Sequence, residues 1–412
     1  MKRACLWALC LLLVLCLSGS TGYAEEAVSK ELSPVDVSAV TLPLGSTNRH
    51  LERFKTRADL QILGLQHTNI TDQGLEYLRG LKNLRVLNLA GTKVTDAGLI
   101  YLVDLPNLQS LNLWGTQITD KSLVHIKKLT SLRSLSLSLG MTDASLEQVA
   151  TLSHLEELHL TGFQVTDFGL AQLKRFPNLR ALTLPFNPSR TVSDEGLGHL
   201  SNLAMLQRLC LSGAKVTDAT LQYIGGLTHL QELRLSGTSV TDAGLQYLQN
   251  LKELQVLDCQ GHVQVSSQLT GSGLAYLRGA NLRSLFLYGV HVTDDSLVHL
   301  AQFSGLQELK LISTAVTDEG LVHLRGLTNL RSLSLLNTKI TDEGLVHLQG
   351  LTNLESLNLQ STNIAGPGFV HLKALTKLRE LNIANTKAAR KGAGSLRNFL
   401  PELKIARSLP RS

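Results

Sequence analysis

Long hydrophobic runs are scarce in this 412-residue sequence. The clearest one, Cys5 to Leu17, follows Lys2 and Arg3 and precedes a polar stretch that ends at Ala24. Such a run is too short for a transmembrane helix, which needs about 18 apolar residues or more. A charged start, a short apolar segment and a small residue at the end are typical of a secretory signal peptide. We therefore expect residues 1–24 to be removed and the mature protein, without a membrane span, to be secreted, periplasmic or on the cell surface.

Cysteine is also rare. Three of the five cysteines lie in the predicted signal peptide, which leaves Cys210 and Cys259. They lie two repeats apart, and their strand positions place Cys210 outward and Cys259 inward. A disulfide needs Cα atoms within about 7 Å and converging Cβ directions. The sequence therefore predicts two unbridged thiols and a fold held together by burial rather than by disulfides.

The excess of positive over negative charge lies at the C-terminal end of the sequence. From Leu378 onward there are eight Lys or Arg against two Glu, whereas residues 25–377 carry 29 Lys or Arg against 31 Asp or Glu. A nucleic-acid surface would combine a basic patch with aromatic side chains, and only 4% of the residues are aromatic. We therefore expect no nucleic-acid partner.

Motifs for covalent catalysis and phosphate binding are missing as well. The sequence contains no G-x-S-x-G, no G-x-x-x-x-G-K and no C-x-x-C. We therefore expect a protein that is not an enzyme and that needs no cofactor.

What the sequence does contain is a repeat. The unit that starts at Leu84 reads LRVLNLAGTKVTDAGLIYLVDLPN. Ten of fourteen units are 24 residues long, with starts at 60, 84, 108, 132, 155, 179, 206, 230, 254, 282, 306, 330, 354 and 378. A fixed period of this length predicts one elongated solenoid, although length alone would suggest two or three domains.

The pattern within a unit predicts its local structure. In L-x-x-L-x-L, apolar and polar residues alternate as in a short strand with one buried face. Thr-Asp then offers side-chain oxygens to the free N–H groups at a helix start, and leucines three apart give that helix one apolar face. Stacked units predict a right-handed α/β solenoid with a parallel sheet on the concave face and short helices on the convex face.

We divide the chain accordingly. Residues 1–24 are the signal peptide, and residues 25–59 are an N-terminal lead-in and cap in which Leu51 and Phe54 cover the first repeat. Residues 60–377 hold thirteen repeats, and residues 378–412 form a terminal repeat and a basic C-terminal cap. We expect a monomer, because a capped solenoid buries its own ends.

The full pattern, L-x-x-L-x-L-x-x-T-x-V-T-D-x-G-L-x-x-L-x-x-L, resembles the leucine-rich repeat family. It is most similar to the cysteine-containing subclass found in exported bacterial repeat proteins, with Thr92, Thr116 and Thr238 where that subclass has Cys. The resemblance implies a horseshoe that binds a partner protein. It also suggests an alternative, a substrate-recognition subunit like the F-box leucine-rich-repeat proteins of ubiquitin ligases, although residues 25–59 are too short for an F-box and a signal peptide would export the chain.

Two polar residues recur at equivalent positions of successive repeats and are candidate sites. The aspartate of Thr-Asp could bind calcium, but its place before each helix favours helix capping. The histidines of the last repeats lie in a column that elsewhere holds Tyr or Gln, which favours a half-buried polar tip on the outer face. A metal-binding or catalytic strip remains an alternative for that column: His299, His323, His347 and His371.

Departures from the repeat on the concave face are the best candidates for recognition. One set is apolar and runs through three successive repeats, and exposed apolar patches of this kind usually mark a partner. A second set is charged, includes Glu232, and lies between the long loops 185–194 and 260–273, for which neutral drift is an equal alternative. The predicted partner-binding residues are Trp114, Arg208, Arg234, Asp258, Phe286, Tyr288, Lys310, Ile312 and Leu336.

Overall fold

The computed structural model describes residues 38–137, 142–160, 165–185, 192–212, 216–261, 268–391 and 395–407. The predicted signal peptide, the rest of the segment before residue 38, and loop residues 186–191 and 262–267 lie outside this part. Within it, sixteen strands form a single parallel sheet in strict sequence order, from β1 to β16. Each strand therefore pairs only with the strands of the coils before and after it, which gives an open leucine-rich-repeat solenoid.

Each strand from β2 to β15 begins two residues after one of the fourteen predicted repeat starts. Equivalent leucines pair in register, as Leu63 does with Leu87 and Leu87 with Leu111. The strands are β1 (Ala39–Thr41), β2 (Ile62–Gly64), β3 (Val86–Asn88), β4 (Ser110–Asn112), β5 (Ser134–Leu137), β6 (Glu157–Leu160), β7 (Ala181–Pro185), β8 (Arg208–Ser212), β9 (Glu232–Arg234), β10 (Val256–Asp258), β11 (Ser284–Tyr288), β12 (Glu308–Ile312), β13 (Ser332–Ser334), β14 (Ser356–Asn358), β15 (Glu380–Asn382) and β16 (Lys404–Ala406).

Short helices follow the strands on the convex side. The α-helical segments are Arg49–Glu52, Asp72–Leu75, Leu123–Ile126, Asp143–Val149, Asp167–Leu170, Asp194–Leu197, Asp218–Ile224 and Ala388–Lys391. The 3₁₀ segments are Glu76–Leu78, Asp96–Leu102, Asp120–Ser122, Ala171–Arg175, Gly198–Asn202, Gly244–Leu248, Ser272–Leu277, Asp294–Gln302, Gly320–Leu324, Glu343–Leu348, Pro367–Leu372 and Ser395–Asn398. None of the helices in the described ranges is long and apolar enough to cross a membrane.

The core is a stack of leucine columns between the sheet and the helices. In one unit, Leu84, Leu87 and Leu89 are fully buried together with residues of the following helix. A single unit cannot bury these side chains, so stability comes from stacking neighbours. At the N-terminal end Leu51 and Phe54 are buried, and the segment that we expected only to cap the solenoid also contributes β1.

The Thr-Asp motif works across coils, which corrects the prediction that its aspartate caps its own helix. The threonine is the N-cap, since the Thr217 side chain accepts a hydrogen bond from the Ala219 N–H at 3.2 Å. The Asp318 carboxylate instead accepts the backbone N–H and the hydroxyl of Thr341 in the next coil, at 2.9 and 2.6 Å. We call this ladder the Asp–Thr rim. It includes the pairs Asp72 with Thr95, Asp96 with Thr119, Asp120 with Thr142, Asp143 with Thr166, Asp194 with Thr217, Asp218 with Thr241, Asp294 with Thr317 and Asp318 with Thr341.

The rim also explains the glycine of T-D-x-G-L. A Cβ atom on Gly344 would collide with the Asp318 carboxylate of the preceding coil. Two coils have a hydroxyl residue at this position that donates to the carboxylate of the preceding coil: Ser145 donates to Asp120 and Thr220 donates to Asp194. The aspartate of one coil and the glycine of the next are therefore one structural unit.

Candidate functional site: the concave face

Strand side chains that point away from the leucine core form the concave face. Through β3–β5 and β13–β15 they are mainly serine and asparagine, and through β6–β12 they include charged and aromatic residues. The parallel register joins one row across five strands: Arg234, Asp258, Phe286, Lys310 and Ser334. The middle of the solenoid therefore carries the distinctive chemistry of this face.

Three charged side chains lie together at the start of this row; Asp258 is buried, and Glu232 and Arg234 are half-buried. Arg234 Nε lies 2.5 Å from Glu232 Oε1, and its Nη1 lies 3.7 Å from Asp258 Oδ2. Burial raises the pKa of Asp258, even though the charge of Arg234 opposes this shift. Burial lowers the pKa of Arg234, but the nearby Glu232 carboxylate outweighs it and the net shift is upward. Arg234 thus pairs chiefly with Glu232, and Asp258 is a buried carboxylate that accepts hydrogen bonds from Gln260.

Arg208 is the register neighbour of Glu232, but it forms an ion pair on the other side. Arg208 Nη2 contacts Glu157 Oε1 at 2.6 Å, two strands back on β6. Beside this pair, His159 is buried and its Nδ1 lies 2.8 Å from Thr183 Oγ1. Burial lowers the pKa of His159 to about 4. Glu157 and His159 were not predicted from the sequence, although both interrupt the serine and asparagine columns of the concave face, as Arg208 does.

Phe286 corrects the predicted apolar patch. It is 8% exposed, so it is not an exposed recognition residue. Lys310 Nζ lies 4.4 Å from the centre of its ring, and the same ammonium lies 3.0 Å from Glu308 Oε1. A lysine held over an aromatic face is a cation–π contact. Phe286 and Lys310 therefore satisfy each other within the chain.

Three predicted apolar residues lie on successive coils with their side chains at least partly accessible, and we call them the apolar row: Tyr288, Ile312 and Leu336. Tyr288 is 41% exposed, and the other two are half-buried. Tyr288 pairs with Ile312 in the sheet register, and the Leu336 carbonyl accepts the N–H of Ser313 at 2.8 Å. The backbone thus holds these side chains on adjacent coils.

Trp114 lies far from the other candidates, just beyond β4. It is half-buried, and its ring contacts that of His67 in an edge-on arrangement with 6.3 Å between the ring centres. His67 was not singled out from the sequence, because the two residues belong to different repeats.

The convex histidines are half-buried, as predicted from their column. Arg325 Nε donates a hydrogen bond to His347 Nδ1 at 3.1 Å. Burial, assisted by the Arg325 charge, lowers the pKa of His347. Among the residues that the structure describes, no three His, Cys, Asp or Glu side chains come together as a metal site would require. His299, His323, His347 and His371 are thus a column without a common centre.

Cys210 and Cys259 lie as the strand register predicts. Cys210 is half-buried on the concave face and pairs in register with Thr183 and Arg234, whereas Cys259 is 2% exposed in the leucine core. Burial raises the pKa of Cys259. They are not bridged to each other.

The long loops are described only in part. Of the second loop, Thr270 and Gly273 donate their backbone N–H groups to the Asp242 carboxylate, both at 2.9 Å, so its end joins the rim. Residues 186–191 and 262–267, the middle parts of the long loops 185–194 and 260–273, lie outside the described residues.

Comparison with known families agrees with this geometry. Residues 119–347 match a leucine-rich repeat region model, and residues 58–118 match a leucine rich repeat model. The chain belongs to the leucine-rich repeat family. Members of this family are generally protein-binding scaffolds, which is the general role that the fold supports here. No curated protein matches the chain at a significant level.

Solved leucine-rich-repeat structures share the architecture. An internalin from Listeria monocytogenes is 25% identical with a TM-score of 0.57, over 82% of this chain and 89% of the internalin. A leucine-rich-repeat protein of Leptospira interrogans is 21% identical with a TM-score of 0.51, over 89% of this chain and 92% of that protein. The second likeness supports the fold alone.

Proposed function

We propose that this leucine-rich-repeat protein is an exported, non-catalytic scaffold that binds a partner protein through its concave face, as a monomer. The observation that carries the proposal is the apolar row. Tyr288, Ile312 and Leu336 lie on three successive coils, and a tyrosine flanked by aliphatic side chains has the composition of an interface hot spot. Apolar side chains that remain accessible on a rigid sheet lose contact with water only when a partner covers them.

The surroundings of the row support the same interpretation. Its neighbours Phe286 and Lys310 are already engaged with each other, so they form a fixed border rather than a flexible one. The backbone beneath Tyr288 and Ile312 is paired on β11 and β12. A partner would therefore meet a preorganised surface, which reduces the entropy lost on binding.

Site-specific photo-crosslinking tests this proposal. A photoreactive phenylalanine analogue at Ile312 of the full chain should crosslink one protein partner in the source cells. The matched control places the analogue at Val322, an apolar side chain that is 38% exposed on the convex side. Crosslinking that is equal at both positions would refute recognition by the concave face.

A variant that introduces negative charge gives the second arm, with the photoreactive analogue now placed at Leu336. Tyr288→Glu combined with Ile312→Asp should abolish crosslinking from that position while leaving the circular-dichroism spectrum unchanged. Retention of the crosslink in that variant would show that the apolar row does not bind the partner.

Export is tested separately. We propose that residues 1–24 direct secretion and that the mature chain begins at Glu25, in line with exported bacterial repeat proteins of the cysteine-containing subclass. N-terminal sequencing of protein recovered outside the cytosol should read Glu25-Glu26-Ala27. Intact protein found only in the cytosol would contradict export but would leave the binding proposal standing.

A further inference from the structure

A second concave feature lies near the N-terminal end, more than five strands from the apolar row. The rings of His67 and Trp114 meet at 79° with 6.3 Å between their centres. We call this pair the aromatic corner. His67 is exposed and Trp114 is half-buried, so the corner opens to the surface.

The backbone fixes the two sides of the corner. The His67 N–H donates to the Ala90 carbonyl at 2.8 Å, and the Gly91 N–H donates to the Trp114 carbonyl at 2.7 Å. These bonds continue the register of the strands into the turns that follow them. The two rings are therefore held by the main chain of three successive coils.

Space for the corner comes from Gly91. A Cβ atom there would lie 2.6 Å from His67 Nδ1, so any other residue would displace the imidazole. His67 itself has a φ of 56°, a left-handed conformation that is uncommon for residues with a side chain. The equivalent positions of later coils hold Ser313, Asn337 and Ser361, also with positive φ but without a ring.

Polar groups with unused hydrogen-bonding capacity lie beside the corner. Asn112 is 2% exposed. Its Oδ1 accepts a hydrogen bond from the backbone N–H of Trp114 at 3.0 Å, which holds the amide beside the tryptophan. Its Nδ2 is buried and has no hydrogen-bond partner among the residues that the structure describes, and the same is true of Gln66 Oε1 on the histidine side. A buried donor or acceptor without a partner costs about 1–3 kcal/mol. A donor and an acceptor, both buried, thus lie unpaired on the two sides of the corner.

We propose that the aromatic corner binds one pyranose ring of an uncharged glycan. The apolar C–H face of a sugar can stack on the indole of Trp114, and its hydroxyl groups can bond to amides and to an imidazole. Sites of this kind combine an aromatic surface with a few fixed polar groups that provide orientation. The polar groups of the corner are neutral amides and an imidazole, which suit hydroxyl or acetamido groups better than a charged ligand.

Tryptophan fluorescence gives a direct test. The sequence has two tryptophans, Trp7 and Trp114. Trp7→Phe in the full chain leaves Trp114 as the single tryptophan, whether or not residues 1–24 are removed. The probes are cellotetraose, the tetramer of N-acetylglucosamine, mannotetraose and galactotetraose. At least one should change the emission of Trp114 in a saturable way, and no response to any of the four would overturn the proposal.

Matched variants locate the binding. His67→Asn reproduces the residue found at Asn337 and Asn385, and Asn112→Ser reproduces its register partner Ser136, so both should fold. Each should weaken binding at least about tenfold, because a site built to bond hydroxyl groups loses much of its affinity when one bond is removed. Trp114→Ala, followed by calorimetry, should abolish binding. Undiminished affinity in these three variants would assign the fluorescence change to another place and refute the proposal.

Two controls separate this site from the protein-binding surface. Gln360→Ala changes the column of Trp114 in a distant coil, and it should leave saccharide affinity unchanged. Tyr288→Glu with Ile312→Asp should also leave it unchanged, because the apolar row is a different surface. Loss of saccharide affinity in either control would contradict a site confined to the aromatic corner.

Discussion

The Asp–Thr rim and the concave face are built from the same coils but follow opposite rules. On the rim one arrangement recurs, from Asp72 with Thr95 to Asp318 with Thr341. In the middle of the concave face neighbouring coils carry different residues, so that Asp258 is followed by Phe286 and then by Lys310. The rim joins each coil to the next, while the concave face distinguishes one coil from another.

This difference shows how a solenoid separates stability from recognition. Interfaces between neighbouring coils add up along the chain, so a contact that is repeated at each interface contributes in proportion to the number of repeats. A concave side chain contributes to one place only and can change without disturbing the leucine columns. Variation on that face is therefore tolerated, and the ion pairs and rings found there are local solutions.

The rim should give the largest effect when it is broken. Gly344→Ala forces a methyl group against the Asp318 carboxylate and should lower the free energy of unfolding by about 3 kcal/mol. Asp318→Ala should cost a similar amount, because it removes both hydrogen bonds to Thr341. Chemical denaturation of both variants measures these losses.

The double variant decides whether the two residues act as one unit. With Asp318→Ala in place, the methyl group of Gly344→Ala no longer meets the carboxylate, so the combined loss should be at least about 1 kcal/mol smaller than the sum of the single losses. Gly244 with Asp218 gives the matched control in another coil, because the three atoms nearest to a Cβ at Gly244 all belong to Asp218, and the same coupling is expected there. Strict additivity in both coils would show that glycine is required at this position for a reason other than the aspartate of the preceding coil.

The next largest loss of stability should come from the concave residue His159, and only at acidic pH. His159 is buried neutral with its pKa lowered to about 4 from 6.5. The unfolded chain therefore takes up a proton on this histidine as the pH falls through 6.5, whereas the folded chain does so only near 4. The folded state should lose about 2 to 3 kcal/mol of stability over this interval.

His159→Asn tests that expectation, because asparagine occupies the same column at Asn88 and Asn112. The groups that face His159 are Glu157, Arg208 and Thr183. The variant should lose less stability than the original protein when unfolding is compared at pH 7 and pH 4.5. Equal losses would place the acid sensitivity elsewhere.

The sequence predicted the repeat, the strand starts and the direction of Cys259 because these follow from local periodicity. It did not predict the partner of Asp318, since a Thr-Asp pair shows only its own helix and not the next coil. It misjudged Phe286 for a related reason: its burial depends on Lys310, which lies 24 residues later. The contact of Arg208 with Glu157 spans 51 residues and a unit of irregular length, so the full register was needed to find it.

Asp258 should change the pH dependence of stability less than His159 does and in the opposite direction, because its contribution is lost as the pH rises. Its raised pKa means that the folded chain holds this proton more tightly than the unfolded chain does. Its contribution to stability is therefore complete below the unfolded pKa and is lost as the pH rises through the folded pKa. Arg234, Lys310, Gln260 and Ser236 face the carboxylate and oppose the shift.

Asp258→Asn should remove that loss. The stability of the variant relative to the original protein should rise between pH 4 and pH 8, by less than the change expected for His159. Denaturation at the two pH values measures it. A relative fall over this interval would mean that Arg234 stabilises the charged form of Asp258 more than burial opposes it.

The smallest effect concerns Phe286 and Lys310, where the chain uses concave residues for its own packing. A double-mutant cycle with Phe286→Leu and Lys310→Gln should give a coupling of about 0.5 to 1 kcal/mol, the usual range for a cation–π contact. Ser334→Ala with Asn358→Ala, a pair in the same register on β13 and β14, should be additive. If Phe286 and Lys310 were also additive, the aromatic ring would be packed by the leucine core alone, and the lysine would be available to a partner. Coupling would instead show that even in its most variable region the concave face satisfies part of its own chemistry, which leaves the apolar row as the surface for recognition.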